Sequence, residues 1–292
     1  MTLIITVVTD DYILLASDMR LTWGTGPKIG QSLSENTCKL VNYNNIGIFG
    51  YSGHAFIERK ETHEWLGEKL ATVKSGKISD LTNYLAGECT KAFKNDRSNV
   101  GHAFVMSLWG NEKGSSSFKP YTRIITNSLD EHLCWTKPRK HFYVHDYERI
   151  ESAVFCSLHI GARLNKDRET KLYRFAEKLA NKSLEPKNML RLLSDEIIYK
   201  SLLDNTVGNK VLAACIPRSS VENKSSNKPS VFAACQPTIE QPTFTYLDDG
   251  YDEIIQYAPT LVFENVLTTN LVTTKDVKNG SDSSSVSVRV IL

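Results

Sequence analysis

No Cys-x-x-Cys pair occurs among the six cysteines, at positions 38, 89, 134, 156, 215 and 235. That absence removes the commonest zinc and dithiol frameworks. No apolar run approaches the roughly 20 residues of a membrane-spanning helix, and residues 1–20 lack the basic start of a secretion signal. No block of like charge appears either. Thirty-five basic and 33 acidic residues leave a net charge of +2 over 292 positions, too little to argue for nucleic acid or a membrane surface as partner. GTGPKIG (24–30) lacks the spacing of a dinucleotide fingerprint and no helix follows it. Scattered cysteines fit free, mostly buried thiols in a reducing cytoplasm, where the Asn-x-Ser triplets at Asn181, Asn223 and Asn279 have no role. No metal and no cofactor is expected.

What is present is an ordinary globular composition, 41% hydrophobic and 23% charged, in a chain long enough for one large domain with an appendage. Residues 2–8 (TLIITVV) and 12–16 (YILLA) flank TDD and read as a hairpin. In the first strand Leu3, Ile5 and Val7 fall on one face, Ile4 and Val8 on the other. Apolar residues on both faces predict a sheet covered on both sides. Residues 23–36 read as loop, and short strands follow near Lys39–Val41 and Ile46–Phe49. The period then changes: Leu66, Leu70 and Val73, then Leu81, Leu85, Cys89 and Ala92, predict helices over roughly 54–73 and 79–94. Strand character returns over 102–160. Two further helices follow, one holding Leu172, Phe175, Ala176 and Leu179, the other starting near Pro186. KVLAACIP (210–217) and SVFAACQP (230–237) read as adjacent strands. TFTYL and YDEIIQY read as a hairpin about an Asp-Gly turn. NGSDSSS is flexible in composition, and SVSVRVIL alternates like a last strand. Strands alternating with paired helices predict two packed sheets with a helical layer outside each.

The chemistry concentrates near the start. If Met1 is removed, Thr2 carries a hydroxyl and a free α-amine. A hydroxyl is a poor nucleophile without a base. An α-amine, with an ordinary pKa of about 7.7–8.0, can accept its proton. A nearby lysine lowers that pKa further, and a carboxylate fixes the lysine. Asp18 ends the second predicted strand beside the start of the first, and Lys39 lies on the next short strand. A charge in a doubly covered sheet is costly unless paired, so an Asp18–Lys39 pair at the open end of the hairpin satisfies both residues. The plain alternatives are a strand threonine behind a retained Met1, a turn carboxylate and a surface lysine.

In order along the chain stand Thr2, DMRLT (18–22), CKL (38–40) and IFGYSGHA (48–55) ahead of a helix. Together they resemble the proteasome β-subunit group of N-terminal-nucleophile hydrolases, including the bacterial ring proteases, over residues 2–218. The resemblance implies an α+β fold, a four-layer αββα sandwich; the chain departs from it in a β-rich, partly flexible extension over 219–292, which simple ring subunits lack. It implies threonine-type cleavage of peptide bonds, with Thr2 as nucleophile and Asp18 and Lys39 as the charge pair that tunes it. Arg20 and Thr22 complete the D-x-R-x-T motif, in which the threonine backbone pairs with extended substrate. Ser52 and Gly53 match the turn before the first helix, with the Ser52 N–H as oxyanion donor. Asp204 and Gly208 match auxiliary positions of a D-x-x-S-G motif in which Val207 replaces the serine. For the family's G-S-G turn, Cys156-Ser157 and Gly161-Ala162 are both candidates. The resemblance further implies a peptide or protein substrate, a homo-oligomer extending to a ring, and room for an ATPase partner.

Other readings attach to parts of the chain. A catalytically silent subunit would use the same fold for assembly. GYSGH (50–54) is a near-miss of the G-x-S-x-G elbow, which would make Ser52 the nucleophile of a serine α/β-hydrolase. His141 and His145 could share a strand face as metal ligands, and LDDGYDE lacks the spacing of a calcium loop.

Overall fold

A computed structural model describes residues 2–23, 27–34, 37–44, 46–73, 77–96, 98, 100–110, 119–130, 134–147, 153–156 and 162–218. Beyond these it describes 243–247, 253–257, 260–263, 266–268, 271–276 and 282–286. The chain opens with β1 (Ile4–Thr9), β2 (Tyr12–Asp18), β3 (Leu21–Thr22), β4 (Ser32–Ser34), β5 (Leu40–Tyr43), β6 (Gly47–Ser52), β7 (Phe56–Ile57) and β8 (Lys60–Glu61). Helices α1 (Thr62–Ala71) and α2 (Ile78–Ala92) follow, then β9 (Ala103–Gly110), β10 (Lys119–Thr126), β11 (Tyr143–Tyr147) and β12 (Ala153–Cys156). Helices α3 (Lys166–Ala180) and α4 (Pro186–Leu203) precede β13 (Val211–Pro217), β14 (Thr243–Leu247), β15 (Glu253–Tyr257), β16 (Thr260–Phe263), β17 (Val266–Thr268), β18 (Leu271–Asp276) and β19 (Asp282–Val286). The chain is α+β.

Two sheets carry the main body. One runs β12-β1-β2-β13-β14, antiparallel throughout. The other runs β11-β10-β9-β6-β5-β16-β17, antiparallel except where β16 joins β5 in parallel. The doubly apolar β1 explains how they pack. Ile4 and Val8 join a cluster with Ile48, Val105 and Trp109 of the second sheet. Leu3, Ile5 and Val7 turn instead to Leu172 and Ala176 of α3 and to Leu193 and Ile197 of α4. The outer face of the second sheet, with Phe49, Phe104 and Met106, packs on Trp65, Leu66 and Leu70 of α1 and Leu85 of α2. Each such buried aliphatic or aromatic side chain contributes about 1.5–3 kcal/mol. Thr6 is the one polar residue on its face of β1. Its hydroxyl bonds Leu14 O at 3.0 Å and Ser107 Oγ at 3.1 Å, linking the two sheets through a satisfied polar contact.

Several details depart from the sequence reading. The first helix begins at Thr62, not near 54. Glu58 and Arg59 have φ of 50° and 67°, so residues 56–61 close into the β7–β8 hairpin. The Thr62 N–H then bonds Ala55 O at 2.9 Å and its hydroxyl bonds His54 O at 2.6 Å, starting α1. Within the expected loop, Ser32–Ser34 pairs with Leu21–Thr22. TFTYL and YDEIIQY do not pair with each other: β14 lies along β13, an otherwise bare sheet edge, and β15 pairs with β18. Part of the expected flexible run forms β19, while 287–292 and SVFAACQP lie outside the described residues. Strands after 218 thus continue both main sheets. Among the described residues no helix is long and apolar enough to cross a membrane.

Candidate active site

Thr2, Asp18 and Lys39 meet at one end of the β1–β2 hairpin, all buried. The hairpin register pairs Ile4 with Ser17, so Asp18 returns beside Leu3. Asp18 Oδ1 accepts the Leu3 N–H at 2.9 Å, and the Asp18 N–H donates to Leu3 O at 3.2 Å. These two bonds fix the backbone on the inner side of Thr2. On its other side the Ala162 N–H donates to Thr2 O at 3.2 Å.

Lys39 enters from the residue before β5. Its Nζ donates to Thr2 Oγ1 at 3.0 Å, Asp18 Oδ2 at 2.9 Å and Arg20 O at 2.5 Å. Oxygen acceptors suit an ammonium, which has three N–H bonds to donate and accepts none. Both side chains of the pair are fully buried, where a lone charge would be prohibitive. Asp18 Oδ2 also takes the Arg20 N–H and the Gly208 N–H, each at 3.1 Å. The carboxylate therefore gathers three backbone donors and one ammonium.

Arg20 ties this centre to the 204–208 turn. Its Nη1 donates to Asn205 O at 2.6 Å and Val207 O at 3.1 Å. Gly208 is required there: a Cβ would stand 2.7 Å from Arg20 Cβ and 3.0 Å from Arg20 N. Asp204 caps the same turn. Burial alone would raise its carboxyl, but the Thr206 hydroxyl and N–H and the Lys200 charge outweigh burial and hold it below its usual value. Thr22 is half-buried in β3 and pairs with Ser32. No family model matches this chain, and no curated protein does.

Of the two candidates for the turn after the middle strands, Ala162 stands at Thr2. Cys156 lies further along, opposite Thr6, and Ser157 and Gly161 fall outside the described residues. Ala162 and Val207 are both buried, and neither has a hydroxyl.

The Ser52–Gly53 turn needs a correction at the level of single peptide groups. The Trp109 N–H bonds Ile46 O at 2.8 Å, in line with the Gly47–Leu108 register. Antiparallel ladders alternate bonded and non-bonded pairs, so bonded pairs recur at 48/107, 50/105 and 52/103. The next ladder agrees: the Asn127 N–H bonds His102 O at 3.2 Å, which turns His102 towards β10 and Ala103 towards β6. Ser52 N–H is therefore spent on Ala103, not open to a ligand. Across the following trans peptide, the Gly53 N–H points the opposite way, towards the edge where β5 begins and Lys39 precedes it. Gly53 is exposed, with φ of 122°, and a Cβ would lie 2.4 Å from Gly101 O. Only glycine fits. Parity along a strand pair is invisible in the sequence, so residue type alone does not separate the Ser52 N–H from the Gly53 N–H.

Ser52 is buried at the end of a strand hydrogen-bonded antiparallel on both sides, and a β-hairpin follows it. The strand-to-helix elbow is not formed. His145 sits in β11 with its Nε2 3.4 Å from Leu129 O, and His141 precedes that strand. Among the described residues no group of three or more His, Cys, Asp and Glu side chains is placed to hold a metal.

Proposed function

We propose that this chain is a threonine-type N-terminal-nucleophile hydrolase, similar to proteasome β-subunits, that cleaves peptide amide bonds once the bond before Thr2 is cut. The single observation that carries the reading is Lys39 Nζ within hydrogen-bond reach of both Thr2 Oγ1 and Asp18 Oδ2 in a buried setting. A lysine kept as ammonium by a carboxylate stabilises negative charge developing on Oγ1 and cannot itself take the proton. That role falls to the freed α-amine of Thr2, which the adjacent ammonium makes less basic. Oγ1 attacks the scissile carbonyl, the amine accepts its proton, and the tetrahedral oxyanion meets the Gly53 N–H. Collapse releases the substrate amine, protonated by the α-ammonium, and leaves an ester on Thr2. Water, deprotonated by the amine, hydrolyses that ester. Substrate backbone pairs along Thr22. The layering of α3–α4, the two sheets and α1–α2 supports a four-layer αββα sandwich.

The test has two steps. Intact mass should show loss of Met1, and Thr2→Ala should abolish turnover of fluorogenic tripeptide amides without changing the fold or assembly. Retained Met1 in an active preparation, or full activity of the variant, overturns the assignment. Self-association, an ATPase partner and a cytoplasmic location follow from the resemblance as further proposals, the first read by sedimentation.

A second reading has its own observation. Ala162 and Val207 remove both hydroxyls that the family's motifs would place near the amine. A silent subunit acting in assembly accounts for that loss. It predicts Met1 retained and no turnover in either the parent protein or the Thr2→Ala variant.

A further inference from the structure

We infer that His102 is a positioning residue for the Gly53 turn, holding the peptide groups that aim the Gly53 N–H. This rests on the reading of Thr2 as nucleophile. The residue is wholly buried, yet it is not silent: its Nδ1 accepts the backbone N–H of His54 at 2.9 Å. An acceptor Nδ1 carries no proton, so the ring is neutral with its proton on Nε2. Among the described residues that Nε2 has no hydrogen-bond partner. The imidazole lies among aromatic rings instead, 4.5 Å from Phe104 and 5.2 Å from Phe93 between centroids, and stacked on Tyr51 at 6.2 Å. A phenylalanine would suit such surroundings better, because a buried unpartnered N–H is a net cost. What the imidazole supplies and a phenyl ring cannot is the Nδ1 acceptor.

The acceptor sits where it matters. Gly53 is at φ 122°, and a Cβ there would lie 2.7 Å from His102 Nδ1, so ring and turn are in close contact. Ser52 is pinned on one side by the ladder to Ala103, and His54 N–H is pinned on the other by Nδ1. Between those two anchors the exposed Gly53 amide has its direction set. The His54 ring is tethered as well, its Nε2 3.1 Å from Asp96 Oδ2 and 3.1 Å from Ser98 Oγ. Burial and the neighbouring His54 hold the His102 imidazolium form well out of reach at neutral pH, which keeps Nδ1 available.

Two variants separate positioning from packing. His102→Phe keeps a ring and loses the acceptor; His102→Asn loses the ring and places an amide oxygen near the Nδ1 position. The first readout is affinity for a tripeptide boronate, whose tetrahedral adduct needs the oxyanion donor, together with kcat and KM. His102→Phe should weaken boronate binding and lower kcat by about 30- to 100-fold with KM within threefold, since one oxyanion donor is worth roughly 10²–10³. His102→Asn should stay within about fivefold of the parent protein. The second readout is hydrogen exchange at the His54 amide, which should speed up at least tenfold in the Phe variant and not in the Asn variant. Equal impairment of both variants, or full function of His102→Phe, overturns the inference. If Thr2→Ala stays active, the nucleophile assignment fails, and the exchange readout still decides whether His102 holds the turn.

Discussion

Replacing Asp18 by asparagine isolates the charge of the buried centre while keeping its shape. In the native protein the carboxylate faces four donors: the N–H groups of Leu3, Arg20 and Gly208 and the Lys39 ammonium. Oδ2 alone serves three of them. In the Asp18→Asn variant the side-chain amide has one acceptor oxygen, and its NH2 must point at either the Leu3 N–H or the other three donors. Lys39, fully buried, loses the carboxylate that faces its ammonium. Breaking a buried pair in this way costs about 3–5 kcal/mol, a large part of the roughly 5–15 kcal/mol that holds a domain together. Lys39→Met removes the ammonium but leaves the carboxylate its three backbone donors, so it should cost less. In the double variant the ammonium is gone as well, and urea denaturation should show a coupling energy of about 2–3 kcal/mol between the two sites. An Asp18→Asn loss below about 1 kcal/mol, or simple additivity, would refute the reasoning, because it would mean the ammonium finds another counter-charge.

Three other outcomes are expected. Turnover should fall on acidification through a single ionisation at or below the ordinary α-amine range of about 7.7–8.0, and a pH profile of kcat/KM that shows no such fall before the protein unfolds in acid would exclude the amine as base. His63 is buried in the first turn of α1, and burial lowers its imidazole to about 4 despite Glu61 Oε2 at 3.4 Å. The unfolded chain takes up that proton near 6.5, so the stabilisation is complete above that value and declines between about 6.5 and 4, by up to about 3 kcal/mol; His63→Leu should flatten the slope of stability against pH, with His102 leaving a residual slope of the same sign. Gly208→Ala should lose about 1–3 kcal/mol of stability and most turnover, because its Cβ meets Arg20 and displaces a donor to Asp18; a variant with the parent's melting temperature and rate would contradict this.

The convergence of Thr2, Asp18 and Lys39 was legible in the sequence because it depends only on strand ends. A short hairpin returns its second strand beside its start, and an acid and a lysine in doubly covered strands need each other. The helices were legible in number and face, since Leu66, Leu70, Leu81 and Leu85 point one way. The start of α1 was not. Glu58 and Arg59 give no turn signal, and their left-handed backbone follows from β7–β8 pairing. His102 was missed altogether: its contact with His54 N–H depends on β9 lying beside β6, a register between segments about fifty residues apart. That the Gly53 N–H and not the Ser52 N–H is left open was illegible for a related reason, since residue type does not report which peptide in a ladder is already bonded. The parallel seating of β16 on β5 had no local signature either, because Thr260–Phe263 looks like any short apolar run.

That last pairing bears on how the molecule comes to be made. Val41 and Thr260 are partners but are separated by most of the chain, and at synthesis rates of 5–20 residues per second the second strand emerges about 10–40 s after the first. During that interval one margin of the sheet lacks the strand that later covers it. A nascent protein in that condition is open to strand addition by a neighbour, so the final stretch serves the partly synthesised molecule as a late seal, and shortening it should show first as lost yield at high expression.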